Sequence, residues 1–253
     1  MKRGTSPSLL SLVQKGEEQE MRKSPEIHDK LRPIIQEEEE RWYGVSRVVP
    51  FSDGVFAFAI TLLIISLLPY ADFRSSPSAG QFFQQLFSLK FHFFSYVLSF
   101  YVIGLAWQTH HLFFRYIIKF DAGLFWLNLT LLLFIAFLPF PTDLLGRYGD
   151  ASIIAAFYAG VLAVLNLLQL LLWWYASSHH RLIRPTLEKR IITYVRLRVL
   201  LPLPIFLISI GLAFISPFLA EAAWAATFFA WPIVARKYGP FAEKGANHVQ
   251  RDT

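Results

Sequence analysis

The chain of 253 residues contains no cysteine, which excludes a disulfide scaffold, a zinc–thiolate or iron–sulfur centre and a thiol nucleophile. Charge is scarce too. Asp, Glu, Lys and Arg make up 17% of the residues, against about 25% in a soluble domain. The same composition excludes disorder, collagen and coiled coil, since 55% of the chain is hydrophobic and its mean hydropathy is +0.42. There is no His-x-x-x-His pair, no paired carboxylates and no Gly-rich phosphate loop, so no metal or nucleotide enzyme is marked. His110 and His111 are adjacent and point about 100° apart on a helix, which prevents them from sharing one metal ion. What is present beside so much apolar surface is a formal charge of +6.

Charge-free runs decide the class. Asp, Glu, Lys and Arg are absent from 54–71, 91–114, 122–142, 151–178 and 199–220, and from a shorter run at 222–235. A helix needs roughly 20 mainly apolar residues to cross the hydrocarbon core. Strands average about 5–6 residues, and these runs do not alternate as barrel strands do. The expectation is an all-α membrane protein with six transmembrane helices per subunit. Pro139, Pro141, Pro202 and Pro204 are expected near span ends. Between the first two spans, Phe82, Phe83, Leu86 and Phe87 recur at helical spacing, which suggests a short amphipathic helix started by Ser76-Pro77, or the beginning of the second span.

Three segments follow. Residues 1–46, of mixed acidic and basic composition with the run Glu37–Glu40, read as a mobile cytosolic tail with short helices. Residues 47–237 form the membrane domain, and 238–253 a short cytosolic tail. With the amino terminus inside, the inner loops and carboxyl tail hold twelve Lys and Arg, while the outer loops hold only Arg74, Lys90 and Arg147. That asymmetry places both termini in the cytoplasm of a multi-pass cell-membrane protein. The basic stretch from Arg181 to Arg198 suits anionic lipid headgroups at the cytoplasmic face. Nucleic acid is not an expected partner, because no reading helix or stacking platform accompanies the charge.

Polar groups inside spans are costly and need a reason. Asp53 lies just inside the first run and calls for a partner from another span. Trp107, His110 and His111, near the cytoplasmic end of the second, are at the same depth and carry N–H donors. At 100° per residue, Gly54, Phe58, Thr61, Leu62, Ile65 and Pro69 share one stripe of the first helix, with Asp53 pointing well away from it. By base rate such a stripe is ordinary packing or lipid contact, and Thr61 most often bonds its own helix. The residues alone leave three classes open: an oligomeric cation channel, a secondary transporter and a non-conducting membrane scaffold. A transporter would place a hydrophilic site at broken helices near the midplane; here the midplane is nearly uncharged and no repeat relates the two halves.

The motif Arg47-x-x-x-Phe51-Ser52-Asp53-Gly54 resembles the signature of the transmembrane protein 175 family of potassium channels. The stretch Trp107-x-x-His110-His111-x-x-Phe114 is similar to that family's aromatic–histidine motif, and Asn128 followed by Pro139-Phe140-Pro141 agrees as well. The resemblance covers roughly residues 44–237. It implies a homotetramer of six-span subunits whose first helices line a central pore, and a passive potassium-selective channel with no cofactor and no catalytic residues. It further implies a hydrophobic constriction at Phe58, Leu62 and Ile65 with Thr61 as a hydroxyl layer. Arg47, Phe51, Ser52 and Asp53 would join Trp107, His110 and His111 in a network that holds the pore helix. The family carries a smaller aliphatic residue where Phe58 stands.

Overall fold

The computed structural model describes residues 25–65, 67, 78–225 and 227, with side chains from residue 44 onward except that of Gln85. The described chain is helical: α1 (Pro25–Ile65), α2 (Ala79–Ser88), α3 (Lys90–Tyr116), α4 (Ala122–Phe137), α5 (Pro139–Tyr148), α6 (Ser152–Ser177), α7 (Lys189–Leu200) and α8 (Pro202–Ile215). A further helical run occupies 217–225. Among the described residues, four stretches are long and apolar enough to cross a membrane: Gly44–Ile65, Ala122–Tyr148, Ser152–His180 and Lys189–Ile215. The pair α2 and α3 makes a fifth if taken together, bent by 53°. The sixth expected run lies mostly outside the described residues.

Several boundaries differ from those the charge-free runs suggest. Residues 25–43 continue α1 without a break, so the expected boundary at 46/47 is one of composition, not of backbone. The third span does not stop at Thr142 but runs on to Tyr148. Pro139 therefore sits within it, and Pro202 falls near the middle of Lys189–Ile215. Each proline is the first residue of its helix, where a missing N–H leaves little unsatisfied. The residue before it closes the preceding turn, Leu138 N on Ile135 O and Leu201 N on Leu197 O. The fifth run ends early, at Ile215, because Ser216 is extended and Pro217 follows.

Ser78 is the N-cap of α2; the expected start at Ser76-Pro77 lies outside the described residues. Ser78 forms a capping box with Gln81. Gln81 N donates to Ser78 Oγ at 3.4 Å, and Ser78 N donates to Gln81 Oε1 at 2.9 Å.

α6 is the hub, packed on α4, α5, α7 and α8. Its Ala155, Ala156, Ala159 and Ala163 are buried, and such small side chains let helix backbones approach where no hydrophobic force drives them together. α1, in contrast, packs on α3, α4 and α5.

At one end of the bundle, Ile118 N and Lys119 N both donate to Leu182 O, at 2.9 and 3.2 Å. Asp121 caps α4 through Leu124 N at 2.8 Å, and its other oxygen accepts from Tyr175 Oη at 2.9 Å and Arg181 Nη2 at 3.2 Å. A Cβ on Gly44 would stand 3.1 Å from the Phe120 ring, so the start of the first span lies at this same end. His92 packs against Gly146 at the opposite end, and Glu221 lies beside Gly149.

Candidate functional site

The apolar part of α1 has two faces. Ser52, Phe56, Ala59 and Leu63 are each at most 1% exposed, covered by α3, α4 and α5. Phe51, Gly54, Phe58, Thr61 and Ile65 are exposed and Leu62 is half-buried. These exposed positions run in steps of three and four, the spacing of a seam on which helices pair, within a wider exposed face that also takes in Pro50, Ala57 and Ile64. No charge interrupts this seam from Gly54 to Ile65. A Cβ built on Gly54 meets nothing within 4 Å. Thr61 Oγ1 donates to Phe58 O at 2.8 Å, so its proton is committed to the helix and its oxygen lone pairs face outward.

The covered face is tied down by polar contacts that link α1 to α3 and α4. Ser52 Oγ donates to Val48 O at 2.8 Å and accepts from Asn128 Nδ2 at 3.0 Å. Asn128 Oδ1 is 2.8 Å from His110 Nε2. Because Ser52's single proton is used on Val48, Asn128 must present its NH₂ to Ser52 and its oxygen to His110. His110 then donates through Nε2, while its buried Nδ1 has no hydrogen bond. The imidazole lies between Phe56 and Phe114, with ring centroids at 5.4 and 4.6 Å. One turn nearer the seam, Trp107 Nε1 donates to Asp53 Oδ1 at 2.8 Å, and His111 lies on the Trp107 ring at 5.7 Å.

The structure therefore brings together Ser52, Asp53, Trp107, His110 and His111. His110 reaches α1 through Asn128 and not through Asp53, and His111 joins through a ring contact. Phe51 and Arg47 lie on the exposed side of the helix; Phe51 points away from the hydrogen-bonded groups. Asn128 is the residue whose part residue-by-residue reading missed. Its signal was present: it is one of only two polar side chains in the 16 residues of α4, and a lone amide in such a segment needs partners.

A second hydroxyl chain braces α3, α5 and α6. Thr142 Oγ1 donates to Leu138 O at 2.8 Å, which requires Ser99 to donate to Thr142 (2.7 Å) and Tyr158 to donate to Ser99 (2.8 Å). A third holds the run 217–225 to α8, with Trp224 Nε1 donating to Ser209 Oγ at 2.8 Å. Among the described residues, no three His, Asp or Glu side chains gather as metal ligands would.

The profile of the family described as endosomal/lysosomal potassium channel TMEM175 matches residues 47–139. A potassium channel of Streptomyces collinus is 36% identical over 182 residues, spanning 70% of this chain and 86% of that protein. A zebrafish protein described as an endosomal/lysosomal proton channel is 23% identical over 177 residues, covering 68% of this chain but 34% of its own length. Among solved structures, the crystal structure of a lysosomal potassium-selective channel TMEM175 homologue from Chamaesiphon minutus superposes with a TM-score of 0.62. It covers 77% of this chain and 97% of the homologue, at 26% identity.

Proposed function

From the premise that this chain belongs to the TMEM175 family of ion channels, we propose that it is a passive, potassium-selective channel assembled around its first membrane helix. The observation that carries the proposal is the two-faced character of α1: one face anchored by buried hydrogen bonds, the other uncovered, uncharged and spaced for self-association. Four copies turned inward on that seam form a homotetramer with Phe58, Leu62 and Ile65 as a constriction and Thr61 beside it. From Phe58 to Ile65 the neck is about 10 Å long at 1.5 Å per residue, a third of the hydrocarbon thickness.

A neck so apolar gates by dewetting. When it is narrow, water leaves and an ion faces the cost of losing its hydration. When it widens, water returns, and the outward lone pairs of Thr61 substitute for lost waters around a desolvated cation. The anchoring network holds the rotation of α1, so that Phe58 and Thr61 and not Phe56 and Ala59 face the axis. Six spans per subunit, with both termini in the cytoplasm of a cell-membrane protein, complete the reading; the one-sided placement of Gly44, Phe120 and Leu182 supports it. Residues 1–46 and 238–253 flank the membrane domain as cytosolic tails.

Bilayer recordings of purified protein test this. Thr61→Ala is expected to reduce the preference for potassium over sodium, read from the reversal potential under biionic conditions. An unchanged reversal potential would sink the assignment of Thr61. Flux coupled to a counter-ion would sink the channel reading itself.

A further inference from the structure

A crevice of about 120 Å³ lies between α3, α6 and the α7–α8 junction, on a different face of α3 from Trp107. Its walls are apolar, with Leu105, Leu162, Ile205 and Phe206 among them. Its polar lining is confined to a few groups, chief among them Arg198, Asn166 and Gln169. Arg198 is 9% exposed and donates to Gln108. Gln169 is held by its Nε2 on Ala106 O at 2.8 Å. The Asn166 side-chain oxygen is buried and accepts no hydrogen bond.

Depth matters as much as composition. Along α7 and α8, Arg198 stands about 26 Å from Ile215 at 1.5 Å per residue, nearly a full hydrocarbon thickness. The Arg198 guanidinium stays in the crevice lining, held on Gln108 of α3, while Phe206 lies about 12 Å further along the helix. The site is thus cationic at one end, apolar along its length, and carries one acceptor without a donor.

We propose that this crevice binds an anionic glycerophospholipid of the leaflet on the Arg198 side. One acyl chain occupies the apolar part and the phosphate pairs with the Arg198 guanidinium, whose planar fork matches phosphate oxygens. A hydroxyl of the lipid supplies the donor that Asn166 lacks. This goes beyond a general attraction of basic loops to acidic membranes, because it needs both the buried cation and the channel for the chain. It stands on the crevice alone, whichever ion α1 conducts.

The test is native mass spectrometry of the full-length protein, released from detergent after exchange with dioleoyl phosphatidylglycerol or dioleoyl phosphatidylcholine. The expected result is retention of phosphatidylglycerol over phosphatidylcholine, with apparent affinity falling about tenfold in Arg198→Gln. Ile205→Trp fills the crevice and leaves the charge intact; it is expected to lose the lipid as well, which free phosphate pairing with Arg198 would not. Arg196→Gln, at an exposed neighbour, is expected to retain it as the parent does. If Arg198→Gln fails to fold, Arg198→Lys keeps the charge without the fork and should give intermediate affinity. Equal retention of the two lipids would overturn the proposal. So would unchanged retention in Ile205→Trp, the sign that no acyl chain enters the crevice, or equal losses in Arg196→Gln and Arg198→Gln.

Discussion

The proton count at Ser52 governs what the neighbouring residues must do. A hydroxyl has one proton, and Ser52 uses it on its own helix, so Asn128 has to act as donor toward α1 and acceptor toward α3. Asn128→Leu removes both functions and strands the buried His110 Nε2. The expected loss is about 1–2 kcal/mol, because buried polar groups cost about 1–3 when left unpaired and membrane hydrogen bonds average less. Thermal unfolding followed by tryptophan fluorescence reads it; a midpoint equal to that of the parent would mean the three groups are not coupled. The bond between Asp53 and Trp107 invites a double-mutant cycle. Asp53→Leu and Trp107→Phe each lose the same contact, so the double variant should cost less than the sum of the two. Strict additivity would show that the bond carries no weight.

Whole helices show a different logic. Among the described residues, α1 is covered on its inner face, while Phe51, Gly54, Phe58, Thr61 and Ile65 on the outer face are exposed. Gly54→Ala places a Cβ where nothing stands within 4 Å, and Gly54→Leu extends it from an exposed position, so either should leave a detergent-isolated subunit no less stable than the parent by more than about 0.5 kcal/mol. Any effect must then arise between copies. Single-channel conductance is expected to fall, or the tetramer to dissociate on gel filtration; a normal conductance in a normal tetramer would take Gly54 off the pore face. α2 behaves oppositely. Phe83 and Phe87 are 66% and 71% exposed, and Lys90 lies 5.1 Å from the Phe87 ring, an arrangement suited to a helix lying in the membrane interface. The 53° bend at Leu89 turns it off the axis of α3.

For the molecule as a whole, the ends of the bundle are sorted. Gly44, Phe120 and Leu182 gather at one end, and His92, Gly146, Gly149 and Glu221 at the other. The lack of cysteine makes this directly testable, since a single introduced thiol is the only one in the chain. In intact cells, Arg147→Cys is expected to react with a membrane-impermeant maleimide, while Lys119→Cys and Arg184→Cys react only after permeabilisation. Labelling of Lys119→Cys and Arg184→Cys from outside, with Arg147→Cys protected, would overturn the orientation.

Much of this was legible before any coordinates. The absence of charge over long runs, additive along the chain, identified the membrane helices, and the motif around Asp53 pointed to Trp107 and the histidines of α3. Helical periodicity also isolated the stripe through Gly54, Phe58, Thr61 and Ile65. Helix ends were less legible, because Leu138-Pro139 and Leu201-Pro202 interrupt hydrogen bonding without interrupting hydropathy. The role of Asn128 needed the packed structure, for its partners lie 18 and 76 positions away in the chain. What the sequence determined alone is therefore the class and most of the spans. What only the tertiary structure decided is which apolar face is covered by protein and which is left open. The reason is physical: lipid tails and protein interiors are equally apolar, so hydropathy cannot tell Phe56, which is buried, from Phe58, which is exposed.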